Sequence, residues 1–545
     1  MHFFQAHSPG QILSAIRALE SPRLLQPEDE SSCRLGLAWR VDKSTPRASL
    51  TGKETCKKFL ERTVDQLWAE IAAHLKTVDR FSLIRAALQN NEAILRDREH
   101  WSNTARALIA IHEDKEDVRA VAHKRETERI RASLAGRVLI EMAICVAMNA
   151  GAGASKSDYD SLIARVISLI ETAHVRDAMR YDLCPSRLEI HPNGFIGIDN
   201  NLIEDAVRKY NSESFGEQFR QASARYEHLY QIKEQRRDLQ EIYSPEFLLA
   251  FEAEYGLTLE RYIDVIAELW QVGVDLKECV VSMETPSLIE RLLRREISDV
   301  DAMQFLNSFA LQPRPKWEEV ERPFRKQDFY PWRYQRRLSL TMRPIVWDGN
   351  VNRGQIIYGL QALVVSMSYL LGNIELGWLQ QDNATSAEMK KLIGGISDTK
   401  GKEFEDEVSN RLQSSEWNTK VRIRLSSMGG PEELGDVDVF AWNKNNQRIL
   451  AIECKRLKAA RTVGEVGEQL KEFQGEARDR LGRHFQRIEW LNSNSKQAAA
   501  YLGIPFEDCL FSPLLVTNTI VPMQFKAGLP LKTEDIITLD SLIAN

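Results

Sequence analysis

Apolar residues recur at three- and four-residue steps along much of the chain from Lys53 onward, as at Leu60, Val64, Leu67 and Ile71. This spacing places them on one face of a helix. An interruption between Arg187 and Asp199 has a Pro-Asn-Gly centre between short apolar runs, which predicts a β-hairpin. The same helical pattern predicts further helices over about 80–98, 102–112, 117–150, 157–176, 202–240, 244–256 and 258–270.

Residues 312–344 have a different composition, with five prolines, many aromatic residues and nine basic residues against four acidic ones. Such a stretch could contact phosphates and stack on bases. The alternative, which we favour, is a proline-rich connector whose arginines pair with its own acids. The run from Ile356 to Leu371 is the most apolar in the chain, but it falls short of the roughly 20 residues that a membrane span needs and predicts a buried helix. A polar joint follows at about 380–400.

From Gly401 the pattern changes to that of a small α/β domain with a mixed sheet. The predicted order is a helix over about 401–415, a strand over about 419–425, strands Asp436 to Trp442 and Arg448 to Cys454, a long helix over about 463–493, and a strand from Leu514 to Ile520. The predicted architecture is therefore multidomain, with a large, mostly α-helical N-terminal region before the α/β domain. Its parts are an irregular segment over 1–50, a helical domain over 51–311, a connector with the buried helix over 312–397, and the α/β domain over 398–545.

Length, charge and cysteine usage narrow the class of protein. A chain of 545 residues is too long for one hydrophobic core. A net charge of -6 argues against a chain that binds polyanions over its whole surface, so any nucleic-acid contact requires a local basic surface. Seven widely spaced cysteines without a CxxC motif argue against disulfides and structural zinc. Together with an N-terminus unlike a signal peptide, they predict a cytoplasmic protein with no membrane partner.

One group of charged residues in the α/β domain predicts a catalytic site. Two apolar strands flank the turn-forming residues 443–447, and a hairpin centred there brings Asp438 close to Glu453. Because side chains alternate along a strand, Glu453 and Lys455 share a face, and Cys454 points to the other. Asp436 shares a face with Asp438, either as an auxiliary ligand or as an exposed strand start.

Burying two carboxylates and an ammonium group among apolar residues is costly unless the charges are compensated. A divalent cation would compensate the carboxylates, and Mg²⁺ prefers carboxylate oxygens and water as ligands. Such an ion polarises a phosphoryl group and activates water, while Lys455 could stabilise charge on the phosphate. The sequence therefore predicts a Mg²⁺ site, which Mn²⁺ could also fill, at Asp438 and Glu453. The alternative is a structural ion pair on an exposed face of the sheet.

This pattern resembles the PD-(D/E)xK nuclease superfamily, whose members have a restriction-endonuclease-like fold. Asp438, fourteen intervening residues and Glu453-Cys454-Lys455 carry the resemblance, which covers about 398–525. The preceding helix, GKEFEDEVSNRL, resembles the family's first helix and implies that Glu405 joins the metal site, with Glu403 and Glu407 as competitors. Gln469 and Phe473 resemble the Gln-x-x-x-Tyr motif of one branch. Phe replaces Tyr there, and only Gln469 carries over as a site residue. Val437 replaces the family's proline.

The resemblance implies a Mg²⁺-dependent endonuclease that hydrolyses phosphodiester bonds, with DNA favoured over RNA as partner. The helical region would then select a substrate, a protein partner or an activation signal, or form a homo-oligomer, as would suit a bacterial antiviral defence effector. A basic cluster after the active strand, at Lys455, Arg456, Lys458 and Arg461, is expected to touch phosphates. The alternative function is a non-catalytic scaffold that binds nucleic acid or protein through a nuclease-like fold.

Overall fold

The computed structural model divides the chain into two compact units, which we describe separately. The first comprises residues 1–176, 186–198 and 233–394, and the second comprises 177–185, 199–232 and 395–545. Most of the predicted helix over 202–240 and most of the predicted turn at 443–447 lie outside the described residues. The structure describes the chain except for residues 1–20, 46–47, 112–114, 147–150, 199–206, 208, 212, 215–238, 334, 444–447, 506–508, 527 and 543–545.

Helices dominate the described part of the first unit, as the apolar periodicity predicts. Two corrections concern their extent: the helices predicted over 80–98 and 102–112 are one continuous helix, and the segment predicted as irregular contains two short helices. Ser244, Thr258 and Ser298 cap three of the helices by accepting a backbone N–H of the first turn. In chain order the helices are α1 (Pro27–Arg34), α2 (Leu37–Val41), α3 (Lys53–Leu75), α4 (Arg80–Ile111), α5 (Lys115–Ala143), α6 (Lys156–Arg180), α7 (Leu239–Ile242), α8 (Pro245–Tyr255), α9 (Leu259–Leu276), α10 (Thr285–Leu293), α11 (Asp299–Phe309) and α12 (Leu360–Glu375).

Two small sheets accompany these helices. The predicted hairpin is confirmed as β2 (Arg187–Ile190) and β3 (Ile196–Ile198), and β1 (Ser49–Thr51) pairs with β2. The second sheet, which the sequence did not reveal, has the order β4-β7-β6-β5. Its strands are β4 (Val280–Glu284), β5 (Ala310–Leu311), β6 (Ile345–Trp347) and β7 (Gln355–Gly359). The apolar run from Ile356 to Leu371, predicted as one buried helix, therefore contains most of β7 and the first part of α12.

A buried carboxylate holds the start of α12. Glu92 of α4 accepts the backbone N–H groups of Gln361 and Ala362 at 2.8 and 2.9 Å. These N–H groups belong to the first helical turn and have no acceptor inside the helix. Burial nevertheless raises the pKa of Glu92 to about 7.

The connector over 312–344 supports the structural alternative over the nucleic-acid one. Its aromatic residues Trp317, Phe329 and Trp332 lie in the core of the first unit. Arg336 pairs with the buried Glu141, and Arg337 Nη2 lies 2.7 Å from Asp328 Oδ2. These packed or paired side chains fit the structural alternative, while Lys316, Arg322, Arg325 and Lys326 are exposed.

The second unit contains a mixed five-stranded sheet with the order β12-β11-β10-β9-β8. Strand β9 runs antiparallel to its neighbours β8 and β10, whereas β11 runs parallel to its neighbours β10 and β12. The long helix predicted over 463–493 is two helices, and the helix predicted from about 401 begins at Ala387, inside the predicted polar joint. The elements are α13 (Ala387–Gln413), β8 (Asn418–Arg424), β9 (Asp436–Asn443), β10 (Arg448–Lys455), α14 (Val463–Lys471), α15 (Arg480–Ser493), α16 (Ser495–Leu502), β11 (Phe511–Thr517) and β12 (Ile536–Thr538).

The sheet of the second unit is covered on its two faces by different sets of apolar side chains. Phe404, Val408 and Leu412 of α13 pack with Val439 and Ile452 on one face. Phe440 and Ala451 pack with α15 and α16 on the other. No helix among the described residues is both long and apolar enough for a membrane crossing.

Candidate active site

The hairpin of β9 and β10 brings Asp438 and Glu453 together, as predicted. Val439 pairs with Ile452 across the two antiparallel strands, so Asp438 and Glu453 are the next residues along the ladder. Both carboxylates are buried, with 9% of Asp438 and 6% of Glu453 exposed. Because β9 and β11 flank β10 on both sides, Glu453 lies in the centre of the sheet.

Lys455 joins the two carboxylates. Its Nζ lies 2.7 Å from Glu453 Oε1 and 3.4 Å from Asp438 Oδ2. The backbone N–H of Cys454 also donates to Asp438 Oδ2, at 2.7 Å. The three residues that the sequence singled out are therefore in direct contact, on the face that alternation predicted.

Arg487 of α15 is a site residue that the sequence analysis missed. Its Nη1 lies 2.7 Å from Glu453 Oε2, and its Nε donates to the carbonyl of Leu434 at 2.7 Å. Glu453 is thus held at one oxygen by Lys455 and at the other by Arg487. The sequence signal that could have pointed to Arg487 is the helical spacing that places Arg480, His484 and Arg487 on one face of α15.

His484 also approaches Glu453, with Nδ1 3.7 Å from Oε2. The ring is completely buried, and burial lowers the pKa of His484 to about 4. The imidazole is therefore neutral near pH 7, and Arg487 and Lys455 are the cations that balance Glu453.

The two carboxylates differ in acidity. Burial and the neighbouring charge of Glu453 raise the pKa of Asp438 above its ordinary value. Burial also acts to raise the pKa of Glu453, but Lys455 and Arg487 outweigh it and hold that pKa below its ordinary value. Glu453 is therefore ionised, while Asp438 retains a proton more readily and would release it to an incoming cation.

Glu405, which the resemblance implied as a metal ligand, pairs with an arginine in this structure. Its Oε2 lies 3.1 Å from Nη1 of Arg422 on β8, and Arg422 Nη2 binds Asp406 Oδ1 at 2.6 Å. Within the part of the chain that the structure describes, no three His, Cys, Asp or Glu side chains form a group that could hold a metal ion. Glu405 is still near enough to raise the pKa of Asp438 by its charge.

The competing acids lie on α13 and at the start of β9. Glu403 pairs with Lys400 at 2.7 Å, and Glu407 is exposed. Asp436 is half-buried at the start of β9 and pairs in register with Arg424. The arrangement leaves Asp438 and Glu453 as the carboxylates placed for a cation.

Gln469 supports the chain that follows β10. Its Nε2 donates to the carbonyl of Lys458 at 2.7 Å, and its buried Oε1 has no hydrogen-bond partner among the described residues. Phe473, which replaces tyrosine in the resembling motif, is buried in the core of the second unit. Gln469 is therefore placed to fix the path of the segment after the active strand.

The predicted basic cluster after β10 is less exposed than expected. Arg456 and Lys458 are both half-buried. Burial lowers the pKa of Lys458 to about 8 and lowers that of Arg456. These side chains are poorer candidates for contacting phosphates than exposed arginines.

Comparison with known proteins assigns the chain to a family. Residues 15–542 match the family described as Anti-phage protein Upx-like. Because the match spans nearly the whole chain, the protein belongs to this family of anti-phage proteins, which supports a role in phage defence. Neither a curated protein nor a solved structure gives a significant match.

Proposed function

We propose that the protein is a metal-dependent endonuclease of the PD-(D/E)xK type that acts on phage nucleic acid, with DNA as the favoured substrate. The observation that carries the proposal is the contact of Asp438, Glu453 and Lys455 on the central strands of a mixed sheet. Family membership supports the defensive role alone. The nuclease activity rests on the chemistry of these three side chains.

The donor set suits Mg²⁺ better than a cation that needs a complete protein cage. Mg²⁺ is commonly bound by one or two carboxylates, with water and substrate phosphates completing its ligands. Asp438 and Glu453 supply two carboxylates, and Glu405 is engaged with Arg422. Bound Mg²⁺ would supply a Lewis acid at the phosphate and a more acidic water.

The protein's own groups position the two carboxylates and stabilise charge on the phosphate. The backbone N–H of Cys454 orients Asp438, and Arg487 fixes the second oxygen of Glu453. Lys455 carries its proton in this setting, because the two carboxylates raise its pKa against the effect of burial. An ammonium group there would stabilise the negative charge that develops on the phosphate during hydrolysis.

A substrate panel tests the proposal. The full-length protein is incubated with plasmid, linear duplex, single-stranded DNA and RNA in Mg²⁺, in Mn²⁺ and in EDTA. We expect cleavage of DNA with either cation and none in EDTA. Cleavage that persists in EDTA, or no cleavage of any substrate with either cation, would contradict the proposal.

The second candidate function is a binding platform without catalysis. Its support is that Lys455 and Arg487 already balance Glu453, so the cluster is electrically satisfied without a metal ion. A platform would retain nucleic acid in filter binding without cutting it, and Mn²⁺ titration would give no heat. An endonuclease gives both a binding isotherm for Mn²⁺ and a product.

A further inference from the structure

A cavity in the first unit has the size of a small-molecule site. Its volume is about 580 Å³, within the range of about 300–1,000 Å³ that is typical of such sites. Its walls come from α4, the start of α6, the start of β4 and the segment around Arg23. This cavity is separate from the residues of the candidate active site.

Its walls are held by buried polar contacts. Asn90 is 7% exposed. Its side chain accepts the backbone N–H of Arg23 at 2.7 Å and donates to the carbonyl of Arg23 at 3.0 Å and to the Tyr159 hydroxyl at 2.9 Å. The guanidinium of Arg23 pairs with Asp160. The cavity therefore has preformed walls, as a site that binds without rearrangement requires.

Basic side chains outnumber acidic ones in the lining. Arg23, Arg85 and Lys156 line it, and Glu278 is the acidic residue among the lining side chains. Asp160, outside the lining, balances Arg23, whereas Arg85 Nη2 lies 2.8 Å from Glu278 Oε2. A guanidinium matches the geometry of a phosphate with two parallel hydrogen bonds.

The rest of the lining mixes small, apolar and uncharged polar side chains. It includes Ala86, Ala93 and Val280, and also Gln89 and Asn90. An uncharged ligand body can contact these residues while an anionic end of the same ligand reaches Arg85. The ligand that this lining suits has an anionic group at one end and an uncharged body at the other.

We propose that this cavity binds a phosphate-bearing small molecule of about mononucleotide size, with Arg85 and Lys156 contacting the phosphate. Glu278 competes with that phosphate for Arg85. Neutralising either Arg85 or Glu278 breaks the same ion pair, but the two changes have opposite effects on the affinity for an anion. This opposition separates ligand binding from a purely structural role of the pair.

Calorimetric titration of the full-length protein tests the proposal, with AMP, ATP and inorganic pyrophosphate as probes and adenosine as the phosphate-free control. We expect AMP or ATP to bind and adenosine to bind at least tenfold more weakly. Arg85→Gln should weaken binding by about tenfold or more, the usual loss for a charged hydrogen bond. Glu278→Gln should strengthen it.

A chemical readout locates the binding. Cys279 lines the cavity and is partly exposed, and Cys509 is the other cysteine that is not buried. In a Cys509→Ser background, the bound probe should slow alkylation of Cys279. Burial raises the pKa of Cys279 to about 11, so labelling is run over hours at mildly alkaline pH.

Results of three kinds would overturn the proposal. The first is absence of binding for AMP, ATP and pyrophosphate at millimolar concentration. The second is equal binding of adenosine and AMP. The third is a change in the same direction for Arg85→Gln and Glu278→Gln, or alkylation of Cys279 that the bound probe leaves unchanged.

Discussion

Arg487 Nη1 lies 2.7 Å from Glu453 Oε2, while the other oxygen of this carboxylate contacts Lys455. Glu453 is buried and Arg487 is partly buried, with 13% of the Arg487 side chain and 7% of the Glu453 side chain exposed. Removing one member of a buried ion pair leaves the other poorly compensated, which costs about 3–5 kcal/mol in the general case. Lys455 remains beside Glu453, so we expect a smaller loss than this range.

The first prediction follows from this pair. Arg487→Gln should lower the free energy of unfolding of the second unit by about 2–3 kcal/mol, measured by urea denaturation. The double variant with Glu453→Gln should lose less than the sum of the single variants, with a coupling of at least about 1 kcal/mol. Strict additivity would show that the contact carries no energy and that Arg487 does not position Glu453.

The second prediction concerns Lys455. Lys455→Ala removes the ammonium group between two carboxylates, so cleavage should slow by roughly 10²–10³-fold. The same change leaves the carboxylates without their shared cation, and Mn²⁺ should bind more tightly by calorimetry. Lys496→Ala on α16 is the matched control, since Lys496 is exposed. Full cleavage in Lys455→Ala would contradict its proposed role.

The third prediction concerns the surface that holds nucleic acid. Arg480 and Arg483 are exposed on the face of α15 that also carries Arg487, so they continue outward from Glu453. Arg480→Gln with Arg483→Gln should weaken binding to unrelated sequences and reduce the salt slope by about one to two units. Arg456 and Lys458 are half-buried, and their double alanine variant should change the slope less. If the Arg456 and Lys458 double variant changed the salt slope more than the Arg480 and Arg483 one, the phosphates would instead lie along the segment after β10.

The fourth prediction is a pH dependence in the first unit. Burial raises the pKa of Glu92 from 4.5 to about 7. The folded state therefore binds the carboxyl proton of Glu92 more tightly than the unfolded state does. The stability that this proton contributes is lost as pH rises from about 4.5 to about 7. A shift of this size corresponds to roughly 3 kcal/mol.

Glu92→Gln isolates that contribution. The stability of the first unit is measured by denaturation between pH 4.5 and pH 8 in wild type and variant. The difference between the two curves should change across this range and become flat above about pH 7, whatever constant effect the amide has. Parallel curves would show that Glu92 is ionised in the folded protein at the same pH as in the unfolded chain.

The hairpin of the candidate site was predictable because its information is local. Two alternating strands and a turn place Asp438, Glu453 and Lys455, and the structure keeps that register. The pairing of Glu405 was not predictable, because its partner Arg422 lies on a strand that follows the helix in the sequence. Arg487 lies 34 residues beyond Glu453 and meets it only through tertiary packing. A sequence pattern gives helical phase but not the element that the helix faces.

The sheet of β4 to β7 was missed for a related reason. Its strands span two to five residues and come from positions between 280 and 359. Periodicity is weak over such short lengths, and a continuously apolar run cannot be divided by periodicity into strand and helix. The boundary falls at Gly359, where β7 ends and α12 begins.

The central claim is that Asp438, Glu453 and Lys455 form a phosphodiesterase site, and the most direct test is the initial rate of Mg²⁺-dependent DNA cleavage in Asp438→Asn. Asparagine keeps the shape of the side chain and an acceptor for the Cys454 N–H, but removes the charge. The exposed Glu489→Gln on α15 serves as the control. We predict cleavage by wild type and by Glu489→Gln, and none above background by a folded Asp438→Asn. Cleavage by Asp438→Asn at the wild-type rate would contradict the assignment of this site.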